Sequence, residues 1–325
     1  MKSLLYCLLL LLSTNCFSQT QELLTRIERY HTLRRLSYEN KHDSIILLAG
    51  KLPFRDSVYL YATKGFLADA WLNKGDTAKA MHYLKKSIQN QNVKAIENLR
   101  YIYGKYKLDN NKEYQYIVQH FDELHSKYNS RLNLPMLQDC LEIYYTDSRS
   151  RYLWMMAKDS VTRHYADVLQ WQSDSMNVES FKNILRKYHR FPGISDIGAA
   201  FCGNFIHIIA HFASRLDQDT LYNYLQQATL QGKLPNWYGP FILDKTEYYA
   251  GRPLIYGEFG NAGNYEGDIY HYSDIKNIEE VDTRRAAFLL LPLYRETEIQ
   301  KCVLPKGYNP KPQNTLKTSI NNKKG

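Results

Sequence analysis

Between Leu134 and Ala250 the large apolar residues recur every three or four positions, and no run alternates apolar with polar. The stretch Ile197, Phe201, Phe205, Ile208, Ile209 and Phe212 is the clearest case. That spacing places side chains on one stripe of an α-helix and is incompatible with the period of two that a half-buried strand needs. The pattern predicts a helix from Leu134 past Trp154, a second over 159–171, and a third that Asp174 caps and that runs to Tyr188. Phe191-Pro192-Gly193 breaks the chain; Ser195 or Asp196 then opens a helix through Phe212, followed by helices at 217–231 and 237–250. The fold class is all-α.

The first half reads as helical hairpins. From Tyr61 to Gln91, Ala68 and Trp71 precede a Gly75-Asp76 turn, and Ala80, Leu84 and Ser87 follow it. Small residues at 68 and 80 let two antiparallel helices approach, and Trp71 and Leu84 fill the space between them. This order resembles one tetratricopeptide repeat. A single repeat cannot bury its own face, so flanking helices expected at 20–36, 40–50, 93–106 and 112–128 must stack on it. The resemblance implies a concave surface able to take a protein or peptide partner.

The N-terminus has the form of a secretory leader: Lys2, a leucine run to Leu12, then Cys16-Phe17-Ser18. The apolar run is shorter than the about 20 residues that span a bilayer. Cleavage is expected after Ser18, with a lipid anchor on Cys16 as the alternative, so the chain reads as exported and periplasmic or envelope-associated. Its organisation then reads as 1–18 leader, 19–130 tetratricopeptide-like region, 131–304 helical domain and 305–325 basic tail. The net charge is +9, but Lys2 and five lysines of the tail account for six of those charges, and no basic stripe marks the remainder. Nucleic acid is therefore not expected as a partner. Beyond the leader stand Cys140, Cys202 and Cys302, with no Cys-x-x-Cys pair. Zinc ribbons and thioredoxin-like chemistry are excluded, and Cys140 and Cys202 read as buried small hydrophobes.

Spaced polar residues on the helical background carry a second resemblance. Asp147 and Arg151 keep the spacing of Asp-Gln-x-x-Arg, with Ser148 for glutamine; Asp174 and Asn177 keep Asp-x-x-Asn. His189-Arg190-Phe191-Pro192 and Gly198 stand at a Gly-x-Pro…Gly element, Ala210-His211 at Gln-His, and Asp244-Lys245 at Asp-Arg. Gly251, Tyr256 and Gly257 fit Gly-x-x-Gln-x-Tyr-Gly-Thr-Gln, where Leu254, Glu258 and Phe259 replace the glutamines and threonine. The segment from Val281 to Leu293 fits a closing helix. In this order the motifs resemble an uncharacterised bacterial domain family of unknown function, over residues 147–293.

Asp147 and Arg151, one turn apart, can pair. His211 lies on an apolar helix, so its imidazole needs a partner or a cavity. Asp244 is the expected partner, giving a His–Asp couple for acid–base work near neutral pH. Arg151, Asn177, Asp147 and Tyr256 are the candidate binding residues. His207 and His211 have metal-ligand spacing, but Ile208 stands where a zinc protease carries its glutamate, and no metal or other cofactor is expected. The glycine- and tyrosine-rich span 251–267 lacks the Gly-Lys-Ser/Thr of a phosphate loop and reads as a long loop beside this region. Two functions survive. The preferred one is an envelope-associated interaction scaffold, because the chain departs from the family pattern at its most distinctive motif. The alternative is a hydrolase or transferase, with His211 as acid/base, Asp244 orienting it and Arg151 holding an anionic group.

Overall fold

The computed structural model describes residues 21–50, 60–89, 99, 103–260 and 263–310. The expected leader, Cys16 and most of the expected 93–106 helix lie outside them, as does the tail beyond Pro310. The fold is all-α with one small sheet. No helix among the described residues is long and apolar enough to cross a membrane.

Helix α1 (21–38), α2 (His42–Gly50), α3 (Leu60–Asn73) and α4 (Thr77–Gln89) form the first layer. The α3–α4 turn follows from two residues. Gly75 takes a left-handed φ of +79°, and the Asp76 carboxylate accepts the Lys79 N–H at 3.0 Å, capping α4. Ala68, Ala80 and Leu84 are buried at the contact. Trp71 sits at its edge rather than at its centre, with the Lys79 ammonium 4.1 Å above its ring. The expected 112–128 helix is two helices, α5 (Lys112–Gln119) and α6 (Phe121–Asn129), broken at His120. Helix α1 belongs to two cores. Leu33 and Leu36 pack with α2 and α3, whereas Leu23 and Ile27 join the C-terminal core. Its Glu28 also pairs with Arg295 at 3.3 Å.

The second layer is built on a long antiparallel hairpin, α7 (Leu134–Met156) and α8 (Ser160–Tyr188). Asn133 and Asp159 cap these helices through the N–H groups of Met136 and Thr162. Asp174, expected to start a helix, lies buried in the middle of α8, which is continuous for 29 residues. Phe191-Pro192-Gly193 does break the chain. After it come a single turn, α9 (Ile194–Ile197), a kink at Gly198 with φ +88°, and α10 (Ala199–Phe212). Helices α11 (Gln218–Leu230) and α12 (Tyr238–Tyr249) complete the layer. Phe181 is its pivot, with Phe191, Phe205 and Phe212 meeting it edge-on at 5.7–6.1 Å. Cys140 and Cys202 are fully buried here as free thiols, which burial raises well above the ordinary range.

The glycine- and tyrosine-rich span contains strand as well as loop. β1 (Asn264–Glu266) pairs antiparallel with β2 (Ile269–His271) across a turn that Gly267 enters at φ +64°, and β3 (Cys302–Val303) adds in parallel. A short helix α13 (Val281–Ala286) follows the sheet's first hairpin. Leu254, Phe259, Ile275, Val281 and Leu293 make a separate small core beneath this cap.

Candidate functional site

Where α7, α8, α10 and α12 converge, polar side chains replace the apolar core. Asp147 reaches from α7, and 64 residues later His211 reaches from the last turn of α10. The His211 Nδ1–H donates to Asp147 Oδ1 at 3.0 Å, with Oδ2 at 3.3 Å. A carboxylate only accepts, so Nδ1 carries the proton and Nε2 keeps its lone pair. Among the described residues Nε2 has no hydrogen-bond partner.

Arg151, one turn beyond Asp147, braces this pair with three of its five N–H donors. Its Nε donates to Asp147 at 3.0 Å, Nη1 to Gln170 at 3.2 Å and Nη2 to Asp174 at 2.9 Å. Arg215, just past α10, lies 3.9 Å from the other Asp174 oxygen and donates to the Trp171 carbonyl and the Ser175 hydroxyl. The result is a chain, His211–Asp147–Arg151–Asp174–Arg215, stitched across three elements.

Beside the chain lies a cavity of about 490 Å3. Arg151, Asp174, His211, Ser214, Thr246 and Tyr249 are among its walls. Lys245 lies next to them on α12, only 7% exposed and with no ion pair or hydrogen bond among the described residues. Burial and then the Arg151 charge push its ammonium down to about 8, with Asp147 opposing. His211 is lowered as well. Burial is the main cause; the Asp147 hydrogen bond opposes it, and the charges of Arg151 and Lys245 reinforce it. Burial raises Asp174 against the pull of Arg151 and Arg215. Arg151, Arg215 and Lys245 thus accompany Asp147 and Asp174 in one network, of which Arg151 and Asp174 reach the cavity wall; the one surplus positive charge favours an anionic occupant.

Asp244 does not orient His211. It is fully buried and turned toward the loop after α12, accepting the N–H groups of Ile255 at 2.7 Å, Tyr256 at 2.8 Å and Glu258 at 2.6 Å. Burial raises its pKa against those three donors. Tyr256 is buried edge-on against Phe288, outside the cavity wall. Its carbonyl accepts from the fully buried Arg285, whose guanidinium also meets Glu258 at 2.7 Å and Glu296 at 3.4 Å. Leu254 and Phe259 are core, and Glu258 pairs with Arg285.

Asn177 is buried one turn from Asp174, its Nδ2 without a hydrogen-bond acceptor. His207 packs edge-on against Phe241 at 4.9 Å, so His207, His211 and Asp244 do not share a centre. Among the described residues no group of three or more His, Cys, Asp or Glu is placed to hold a metal ion. Sequence reasoning missed Gln170, Arg215, Thr246 and Tyr249, and valued Lys245 only as a stand-in for arginine. A charged residue beside Asp244 inside an apolar helix was the available signal for Lys245. No family model, curated protein or solved structure matches the chain.

Proposed function

We propose that the chain is a hydrolase acting on a small anionic ester, with His211 as general base. One observation carries this reading: a histidine held by a carboxylate through Nδ1 presents an unpartnered Nε2 beside a cavity with surplus positive charge. In the proposed step Nε2 takes a proton from water as the water oxygen attacks the acyl or phosphoryl centre. The same proton then passes to the departing oxygen, so the imidazole ends neutral. Asp147 supports the transient imidazolium. Arg151 positions Asp147, and the two Nη N–H groups that its three hydrogen bonds leave over can meet an anion in the cavity it lines. Lys245 and Arg215, behind the cavity wall, add long-range attraction for the anionic group. Ser214 borders the cavity but forms no bond to His211, which favours water over serine as the nucleophile.

The test is turnover of p-nitrophenyl carboxylate and phosphate esters by the purified protein and by His211→Ala at equal concentration. Hydrolysis by the wild type that the variant loses supports the proposal. Equal background rates across the panel overturn it. Export to the periplasm or envelope, residence in the family named by the motif order, and lipid attachment at Cys16 remain proposals from the sequence.

A second reading, an envelope-associated interaction scaffold, is favoured by the α3–α4 hairpin, whose buried Ala68, Ala80 and Leu84 follow tetratricopeptide order. On that reading a bound peptide would protect α3 and α4 from amide exchange, and His211→Ala would leave binding unchanged.

A further inference from the structure

The outer half of the α7–α8 hairpin is built inside out. Between its helices lie polar contacts: Arg151 with Gln170, and the Trp154 indole N–H with Asp167 at 2.8 Å. On its outside lie the apolar residues. Along α8, Val161, Tyr165, Val168 and Trp171 are all exposed, Val161 at 78%. Their spacing of four, three and three puts them on one helical stripe about 15 Å long. On α7, Tyr152, Leu153, Met155 and Met156 are exposed beside them.

Each of these eight side chains shows more than a third of its surface. At about 150–250 Å2 for each aromatic side chain and somewhat less for Val, Leu and Met, they present roughly 900 Å2 of accessible surface, most of it apolar. A typical monomer tolerates a patch of about 300–600 Å2, and a stable dimer buries about 800 Å2 on each partner. The arm therefore carries the area of one half of a dimer interface.

We infer that the arm is the dimerisation surface of this chain, packing side by side on the same arm of a second copy about a two-fold axis. An apolar stripe at three- and four-residue spacing matches a helix of the same kind, which a second copy supplies. The exposed charges on the arm are nearly balanced, Arg149, Lys158 and Arg163 against Asp159 and Asp167, so the arm offers little attraction to an anionic bilayer. Its apex, Lys158-Asp159, is polar, with Asp159 committed to capping α8, which disfavours tip-first insertion. This inference is independent of the proposed hydrolysis.

Sedimentation velocity of the purified protein from about 1 to 100 μM tests it. The expected result is a dimer, weakened at least ~100-fold by the double substitution Tyr165→Glu and Val168→Glu, which buries two charges at the contact. Trp171→Ser, a milder change, should weaken it less. Far-UV circular dichroism and melting temperature should stay unchanged, because these side chains are exposed in the single chain. A monomer throughout the range, or a dimer untouched by the double substitution, overturns the inference. So does a monomer that floats with phosphatidylethanolamine/phosphatidylglycerol vesicles and loses flotation on substitution, since that assigns the arm to a membrane.

Discussion

Two polar clusters lie at the ends of adjacent positions on α12, and they are opposites. Asp244 turns one way into a cluster whose charged groups are paired, with Glu258 and Glu296 bordering a second cavity of about 340 Å3. Three backbone N–H groups satisfy Asp244, and nearby Arg285 meets two glutamates and two carbonyls. Lys245 turns the other way, toward His211, Asp147 and Arg151, where a ring nitrogen has no hydrogen-bond partner among the described residues, the ammonium has only the Tyr249 ring at 5.8 Å, and a cavity stands open. Both clusters use Asp, Arg and a long charged side chain. The difference lies in satisfaction: the cluster whose central Asp and Arg are met on all sides by fold groups holds the fold, and the one that leaves a ring nitrogen unspent beside a cavity can act on a ligand.

The sharpest way to break that comparison is His211→Gln. On the proposed mechanism it lowers kcat/KM by about 10²–10⁴-fold, measured on whichever ester the wild type turns over, while the melting temperature stays nearly constant. An unchanged rate would put both clusters in the structural class. Next comes Asp244→Ala, which leaves three buried N–H groups without an acceptor. Chemical denaturation should show a loss of about 3–5 kcal/mol. A loss below about 1 kcal/mol would show that the loop from Ile255 to Glu258 does not depend on this carboxylate.

Lys245→Met should move stability the opposite way. The unpaired ammonium falls from 10.5 to about 8 on burial. At about 1.36 kcal/mol for each tenfold change in proton affinity, removing it stabilises the fold at pH 7 by on the order of 3 kcal/mol. Binding of inorganic phosphate, followed by calorimetry, should weaken in the same variant. A destabilised protein with unchanged phosphate binding would mean that Lys245 is a structural group like Arg285.

The smallest effect is in the pH profile. The folded His211 pKa lies below its ordinary 6.5, so the base stays neutral and active below pH 6.5 before losing activity to protonation. Lys245 is charged below about 8, so anion affinity should fall above that pH. A bell with its acid limb below 6.5 and its alkaline limb near 8 is expected for kcat/KM. Stability follows the same sign at the acid end. Between 6.5 and the folded pKa the unfolded chain binds more protons, so acid weakens the fold there. An acid limb above 6.5 would exclude His211 as the base.

Much of the architecture was legible because helical periodicity survives in a single sequence. The breaks at Gly75-Asp76 and Pro192-Gly193, and the ends of α10, α11 and α12, fall close to where the residues indicate. Three features were not legible. Asp174 looks like a cap because aspartate favours helix starts, yet its bond to Arg151 stabilises it mid-helix. The strands have two or three residues each, too few to display alternation. The site itself was half legible: Asp147, Arg151 and His211 converge as a bonded group, whereas Asp244 and Tyr256 serve the loop after α12.

By itself the sequence determined the helical class, the positions of the main breaks and the set of polar residues that must find partners on an apolar background. Those follow from local chemistry, which neighbours in the chain already express. Only the tertiary structure decided which partners they find. Asp244 and Lys245 are adjacent, but successive residues on a helix point about 100° apart. That rotation sends one into the paired Arg285 cluster and the other toward the His211 network, a choice set by which helices pack on either side of α12.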